Sequence, residues 1–144
     1  MKISLGSDHA GFAAKELVKA HLTTKGIEIL DFGTDSEASC DYPDYVRPAA
    51  AAVASGDADL GIVFGGSGNG EAIVANKVKG IRCGVCWNTE SARLTKLHNN
   101  ANVISIGGRL VPATELGHVV DAWLDTAFEG GRHIARLEKI HAAE

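Results

Sequence analysis

Short runs of β-branched and aliphatic residues alternate along the chain with longer stretches in which apolar positions return every three to four residues. That alternation predicts βα units around a parallel sheet covered on both faces. Five runs predict strands: Lys2 to Ser7, Glu28 to Asp31, Leu60 to Phe64, Ile81 to Cys86 and Val103 to Ile106, each bounded by Gly, Asp or Asn. A first helix is expected from Phe12 to Thr24, ending near Gly26. A second is opened by Asp41, carries Pro43 in its first turn and runs through an Ala-rich body to Ser55, closed by Gly56. A third should start near Gly70 and run to Val78, and a fourth should span Glu90 to His98 with Thr89 as N-cap. Leu116, Val119, Val120, Trp123, Leu124 and Ala127 form the clearest apolar stripe, for a fifth helix, and Arg132 to His141 follows Gly130 and Gly131 as a short sixth. The expectation is one α/β domain over residues 1–144, doubly wound, with a five-stranded parallel sheet between helix layers (a Rossmann-like three-layer sandwich) and its ligand beyond the strand C-termini.

Composition narrows the function without changing the fold. The apolar share of 45% and the charged share of 22% are ordinary for a globular chain. The formal net charge of -4, with no run of Lys or Arg, argues against a nucleic-acid or anionic-membrane surface. A small anionic or neutral ligand is expected instead. No run of about 18 apolar residues is present, and Cys40, Cys83 and Cys86 are too few for a disulfide framework, so a reducing, cytoplasmic location is expected.

Four loops carry candidate chemistry. Ser7, Asp8, His9, Ala10 and Gly11 follow the first strand, and Gly65, Gly66, Ser67, Gly68, Asn69, Gly70 and Glu71 follow the third. His98, Asn99 and Asn100 follow the fourth helix, and Gly107, Gly108 and Arg109 the fifth strand. Four glycines within Gly65 to Gly70, between strand and helix, let backbone N–H groups point at an anion or a developing oxyanion; a plain tight turn is the competing explanation. No Gly-Lys-Ser/Thr follows, so it is no P-loop. Glu71 opens the next helix, where it either stabilises the dipole by about 0.3–1 kcal/mol or serves as a general base beside the oxyanion loop.

Arg132 and Arg136 stand four apart, so two guanidinium forks leave one helix face, which suits a phosphate unless they merely pair with Glu129 or Glu138. Together with Arg109 they are expected to meet a single dianion at the C-terminal edge of the sheet. Of six histidines only His9 and His98 fall in loops; His21, His118, His133 and His141 read as helix surface. No convergent ligand spacing is visible beyond Asp8 and His9, so no metal is expected. Cys83 and Cys86 lie three apart in an apolar strand and so point to opposite faces, as small core residues and not as a redox pair.

Six segments taken together carry a resemblance: Gly-Ser-Asp-His-Ala-Gly-Phe at 6–12, Asp-Tyr-Pro at 41–43, Gly-Gly-Ser-Gly-Asn-Gly-Glu at 65–71, Ala-Asn-Lys at 75–77, Leu-His-Asn-Asn-Ala-Asn at 97–102 and Gly-Gly-Arg-His at 130–133. Over nearly its whole length the chain resembles the type B ribose-5-phosphate isomerases, in the wider family that includes galactose-6-phosphate isomerase subunits. The resemblance implies a metal-independent aldose–ketose isomerase, without cofactor, acting on ribose 5-phosphate through a cis-enediol. A hexose-phosphate isomerase and a non-catalytic phosphosugar-binding module are the alternatives.

It further implies that Asp8 and His9 hold the sugar and its phosphate end, that His98 assists ring opening, and that Asn99 binds substrate. Arg109, Arg132 and Arg136 would bind the phosphate. Ser67 and the N–H groups of Gly66, Gly68, Asn69 and Gly70 would stabilise the enediolate. Homodimers, or pairs of them, with sites shared between subunits are also implied. In the best-known branch a cysteine in the glycine-rich loop is the base; Gly65 stands there in this chain. Its loop resembles a second branch, which places a glutamate at the position of Glu71.

Overall fold

The computed structural model describes residues 1–144 and contains β1 (Lys2–Ser7), α1 (Phe12–Thr24), β2 (Glu28–Asp31), α2 (Pro43–Ser55), β3 (Leu60–Gly65), α3 (Asn69–Asn76), β4 (Cys83–Cys86), α4 (Thr89–Asn99), β5 (Val103–Gly107), α5 (Leu116–Leu124) and α6 (Arg132–His141). The five strands form one all-parallel sheet in the order β2-β1-β3-β5-β4. The expected α/β three-layer architecture is what forms. On one face, Ile3, Leu5, Ile62, Phe64, Ile104 and Ile106 pack with Val18 and Leu22 of α1, Ala92 of α4 and Leu116, Val119, Val120 and Trp123 of α5. On the other, Val63 and Val103 pack with Val46, Ala49 and Ala50 of α2 and Ala75 of α3. No helix is long and apolar enough to cross a membrane.

Element ends depart from the periodic pattern wherever a side chain captures backbone. β4 begins at Cys83 and not Ile81, because the Arg82 N–H donates to the Asn102 side chain at 2.8 Å instead of joining the ladder. α3 starts one residue early and stops at Asn76, short of Val78: the Asn76 amide donates to the Cys83 carbonyl at 2.9 Å and accepts from its N–H at 2.8 Å. Asn88, not Thr89, caps α4, accepting from Ser91 N–H while Ser91 Oγ accepts from Asn88 N–H. Asp41 caps nothing with its side chain; α2 begins at Pro43 after Tyr42. Ala127 lies beyond the end of α5, exposed, because the chain turns away to reach α4, where the Glu129 N–H donates to the Leu97 carbonyl at 3.0 Å.

The strand order places a switch point between β1 and β3, where the following connections leave toward opposite faces and open a crevice. β5 lies on the far side of β3, so the loops after β1, β3 and β5 sit side by side at one sheet edge.

Candidate active site

That edge assembles most of the candidate residues. The N–H groups of Gly108 and Arg109 donate to the carbonyls of Gly65 and Gly66 at 2.8 and 3.1 Å, which locks the loop after β5 onto the glycine-rich loop. The Arg109 guanidinium thereby comes to lie beside Gly66. Gly68 adopts φ +84°, a left-handed conformation natural to glycine, and turns the chain into α3; its carbonyl accepts from Ser105 Oγ at 2.6 Å. Ser67 is exposed at the rim, its Oγ accepting from Asn69 N–H at 3.2 Å. The start of α3 at this loop carries the partial positive charge of a helix N-terminus.

Glu71 sits under this loop, 4% exposed. A methyl group built on Gly65 would fall onto the Glu71 carboxylate. The carboxylate thus occupies the volume that a residue-65 side chain would take, which is where the resemblance puts the thiol of the cysteine branch. Burial pushes its carboxyl above the ordinary 4.5, and the nearby Asp8 charge adds to the rise, while the N–H groups of Glu71 and Gly68 draw it partly back. A carboxylate so placed is a stronger base than one in water. Asp8 itself is buried and accepts from Gly11 N–H at 2.9 Å. His9 is fixed through Nδ1, 3.2 Å from both the N–H and the carbonyl of Cys40. Tyr42 was missed as a site residue: its hydroxyl lies 2.6 Å from where a Gly70 Cβ would stand, at the entrance to α3. Its place in the Asp-Tyr-Pro segment was the available signal.

The remaining candidates lie elsewhere. His98 and Asn99 end α4, which runs antiparallel to the strands, so they precede β5 and sit at the N-terminal edge of the sheet, opposite Glu71. Arg82, just before β4, donates from Nε to the Asn99 carbonyl at 3.1 Å and fixes that placement. Helix α6 packs on α4 and is tied to the same edge by Arg82 Nη1 to His141 Nε2 at 2.8 Å and by Gly80 N–H to Glu144 at 2.9 Å. Arg132 and Arg136 are exposed there, paired with neither Glu129 nor Glu138. The expectation that they join Arg109 around one dianion at the C-terminal edge therefore fails within a single chain. The end of α4 leads into the start of β5, and α6 packs beside it, away from the edge where the strands end.

His133 is a further correction. It is not helix surface but 6% exposed, stacked on His98 with ring centroids 4.6 Å apart, and 3.0 Å from Glu129. Its spacing from buried Leu137, four residues on, was the signal. His98, Glu129 and His133 bring three potential ligand atoms within 4.8 Å of one another, a convergence that sequence spacing did not reveal. Glu129 Oε2 stands between the two rings, 3.0 Å from His133 Nε2 and 3.9 Å from His98 Nε2, and the stacked pair reads as a hydrogen-bonded cluster.

Cys83 and Cys86 do face opposite layers, and burial raises both thiols, Cys86 to about 12, which leaves them poor nucleophiles. A cavity of about 680 Å³ beside β2 is lined by Lys15, Lys19 and Asp31, but Lys15 and Lys19 are bound up in ion pairs with Asp31.

Comparison with known proteins agrees with this geometry. The sequence model of the Ribose/Galactose Isomerase family matches residues 3–140. Ribose-5-phosphate isomerase B of Escherichia coli is 46% identical over 99% of this chain and 96% of its own length. The structure of the Clostridium thermocellum ribose-5-phosphate isomerase B superposes with a TM-score of 0.98 at 45% identity, covering 99% of this chain and 97% of that one. That of the Mycoplasma genitalium enzyme with bound ribulose-5-phosphate gives 0.93 at 38% identity, covering 99% and 95%. On fold, loop order and near-complete overlap, the chain belongs to the ribose/galactose isomerase family.

Proposed function

We propose that the chain, as one isomerase domain, interconverts D-ribose 5-phosphate and D-ribulose 5-phosphate through a cis-enediol, without a metal. The observation that carries this reading is the buried Glu71 carboxylate against Gly65 of the glycine-rich loop, at the switch-point crevice. The names of the relatives, and the ribulose-5-phosphate bound by one of them, support the substrate. Ring opening comes first: as the C1–O bond breaks with its electron pair on the ring oxygen, the C1 hydroxyl proton passes through His98 to that oxygen and C1=O forms. Glu71 then removes the C2 proton. The C2–H electron pair forms C1=C2 as the C1=O pair moves onto O1, Ser67 and the loop N–H groups of Gly66 to Gly70 stabilising its charge. The O2 proton then passes to O1, the O2–H pair forms C2=O, and the C1=C2 pair takes the proton back from Glu71 at C1, which gives the ketose. Asp8, His9 and Asn99 hold the sugar, and Arg109, Arg132 and Arg136 the phosphate. The three unpaired cysteines support a cytoplasmic location.

Purified protein is expected to turn over ribose 5-phosphate in preference to allose and galactose 6-phosphates, and to keep its activity after dialysis against a strong chelator. Preference for a hexose phosphate would reassign the substrate. Activity lost to the chelator and restored by one divalent ion would overturn the metal-free mechanism.

We also infer that the working unit is a homodimer whose sites combine the Glu71 edge of one subunit with the His98 and α6 edge of its partner. The support is that one chain keeps these groups at opposite edges of the sheet. Exposed Ile73, on α3, and Trp87, after β4, offer apolar area near the unpaired β4 edge for such a contact. Arg136→Ala should lower kcat/KM by about ten- to a hundredfold, mostly through KM, since a charge-assisted hydrogen bond contributes roughly 1.5–3 kcal/mol. Mixing Arg136→Ala subunits with Glu71→Gln subunits should restore about a quarter of parental activity, because half the dimers would be mixed and each would contain one intact site. Mixtures no more active than the sum of their parts would show each site to lie within one chain.

A further inference from the structure

His98 is not alone at the end of α4. Glu129 Oε2 lies 3.0 Å from His133 Nε2 and 3.9 Å from His98 Nε2, so one carboxylate oxygen faces both rings. Two bonds hold it there. The Glu129 backbone N–H donates to the carbonyl of Leu97, the residue before His98, and buried His133 donates Nε2–H to the carboxylate while its ring lies flat against His98. His133 thus joins the two groups, bonded to the carboxylate on its ring edge and stacked on His98 by its ring face. The carboxylate side chain keeps 52% exposure and so remains open to the solvent from which substrate arrives. His98 also ends a helix, where the C-terminal dipole favours positive charge. A carboxylate and a helix C-terminus thus both lie beside the ring that the reaction asks to carry a proton.

We propose that Glu129, clamped by His133, is a positioning residue for His98: its charge stabilises the imidazolium that His98 becomes while it carries the proton from the C1 hydroxyl to the ring oxygen. This rests on the reading of His98 as the group that opens the sugar ring. No bond to C2 changes in that step, which separates it from the chemistry of Glu71.

Glu129→Gln keeps the shape and a hydrogen-bond acceptor and removes the charge. With ribose 5-phosphate carrying hydrogen or deuterium at C2, this variant should lose about tenfold in kcat with KM changed by less than about twofold, as expected for a partly exposed charge about 4 Å from the ring and off the substrate. The deuterium isotope effect should shrink toward unity, because ring opening, which breaks no C2–H bond, becomes the slow step. His98→Asn, assayed in parallel, should show the same collapse with a larger loss. A Glu129→Gln enzyme with unchanged kcat, or with lowered kcat and an undiminished isotope effect, overturns the role of Glu129. If His98→Asn also retains the parental kcat and isotope effect, the ring-opening reading of His98 falls first; if His98→Asn collapses and Glu129→Gln does not, the inference about Glu129 fails alone.

Discussion

Glu71→Gln is expected to lower turnover by about 10³- to 10⁴-fold while substrate affinity stays close to the parent's, since proton transfer is lost and the binding surface is kept. Rates and calorimetric affinities for ribose 5-phosphate measure both halves. A variant within tenfold of the parent would remove Glu71 from the base's role. The same substitution should raise thermal stability at neutral pH. Burial raises the folded carboxyl's affinity for a proton above that of the unfolded chain. Below the unfolded value both states are protonated and the cost of burying a charge is absent; above the folded value both are ionised and that cost is fully expressed. Stability contributed by the protonated group is thus lost as pH rises through the folded value, and Gln has none to lose. In the parent, kcat/KM should fall with acid through that same raised value.

Gly65→Ala should be nearly as damaging, with activity down by about a hundredfold or more and stability lower by roughly 1–3 kcal/mol, the usual cost of an overfilled interior. The added carbon would overlap the Glu71 carboxylate, so the carboxylate must leave its place or the loop must move. Thermal melts and rates across the cycle Gly65→Ala, Glu71→Gly and the pair provide the check. The double variant should melt above Gly65→Ala alone, because removing the carboxylate vacates the contested volume, and should remain inactive. Independent, additive losses of stability would mean the two residues do not share that space.

Much of this was readable from the residues alone. Short apolar runs marked the five strands and period-3.6 stretches the helices, because burial between two helix layers acts on each residue locally. The glycine-rich loop and Glu71 were legible for a similar reason: a strand, a turn and a helix start are neighbours in the chain. What escaped were arrangements made across distance. Asn102 ends up setting the start of β4, twenty residues earlier in the chain, and no local pattern encodes that bond. His133 looked like surface because its partners, His98 and Glu129, come from another helix and a loop. The placement of His98 was within reach, since a residue at the end of a crossover helix must return to the N-terminal edge of a parallel sheet. Reading helix and strand ends alike as site loops concealed it.

The overlap between residue 65 and Glu71 also bears on how the two branches of the family are connected by mutation. With Glu71 as the proposed base, the thiol and the carboxylate cannot be exchanged one substitution at a time without loss: adding Glu71 before residue 65 is cleared overfills the interior, and clearing residue 65 first leaves neither group in place. Either order passes through an impaired ancestor, but the two intermediates fail differently, one as a folding defect and the other as a stable, inactive protein. The second can persist where a duplicate copy supplies the activity. For a descent from the thiol branch, that asymmetry favours glycine at residue 65 before glutamate at residue 71.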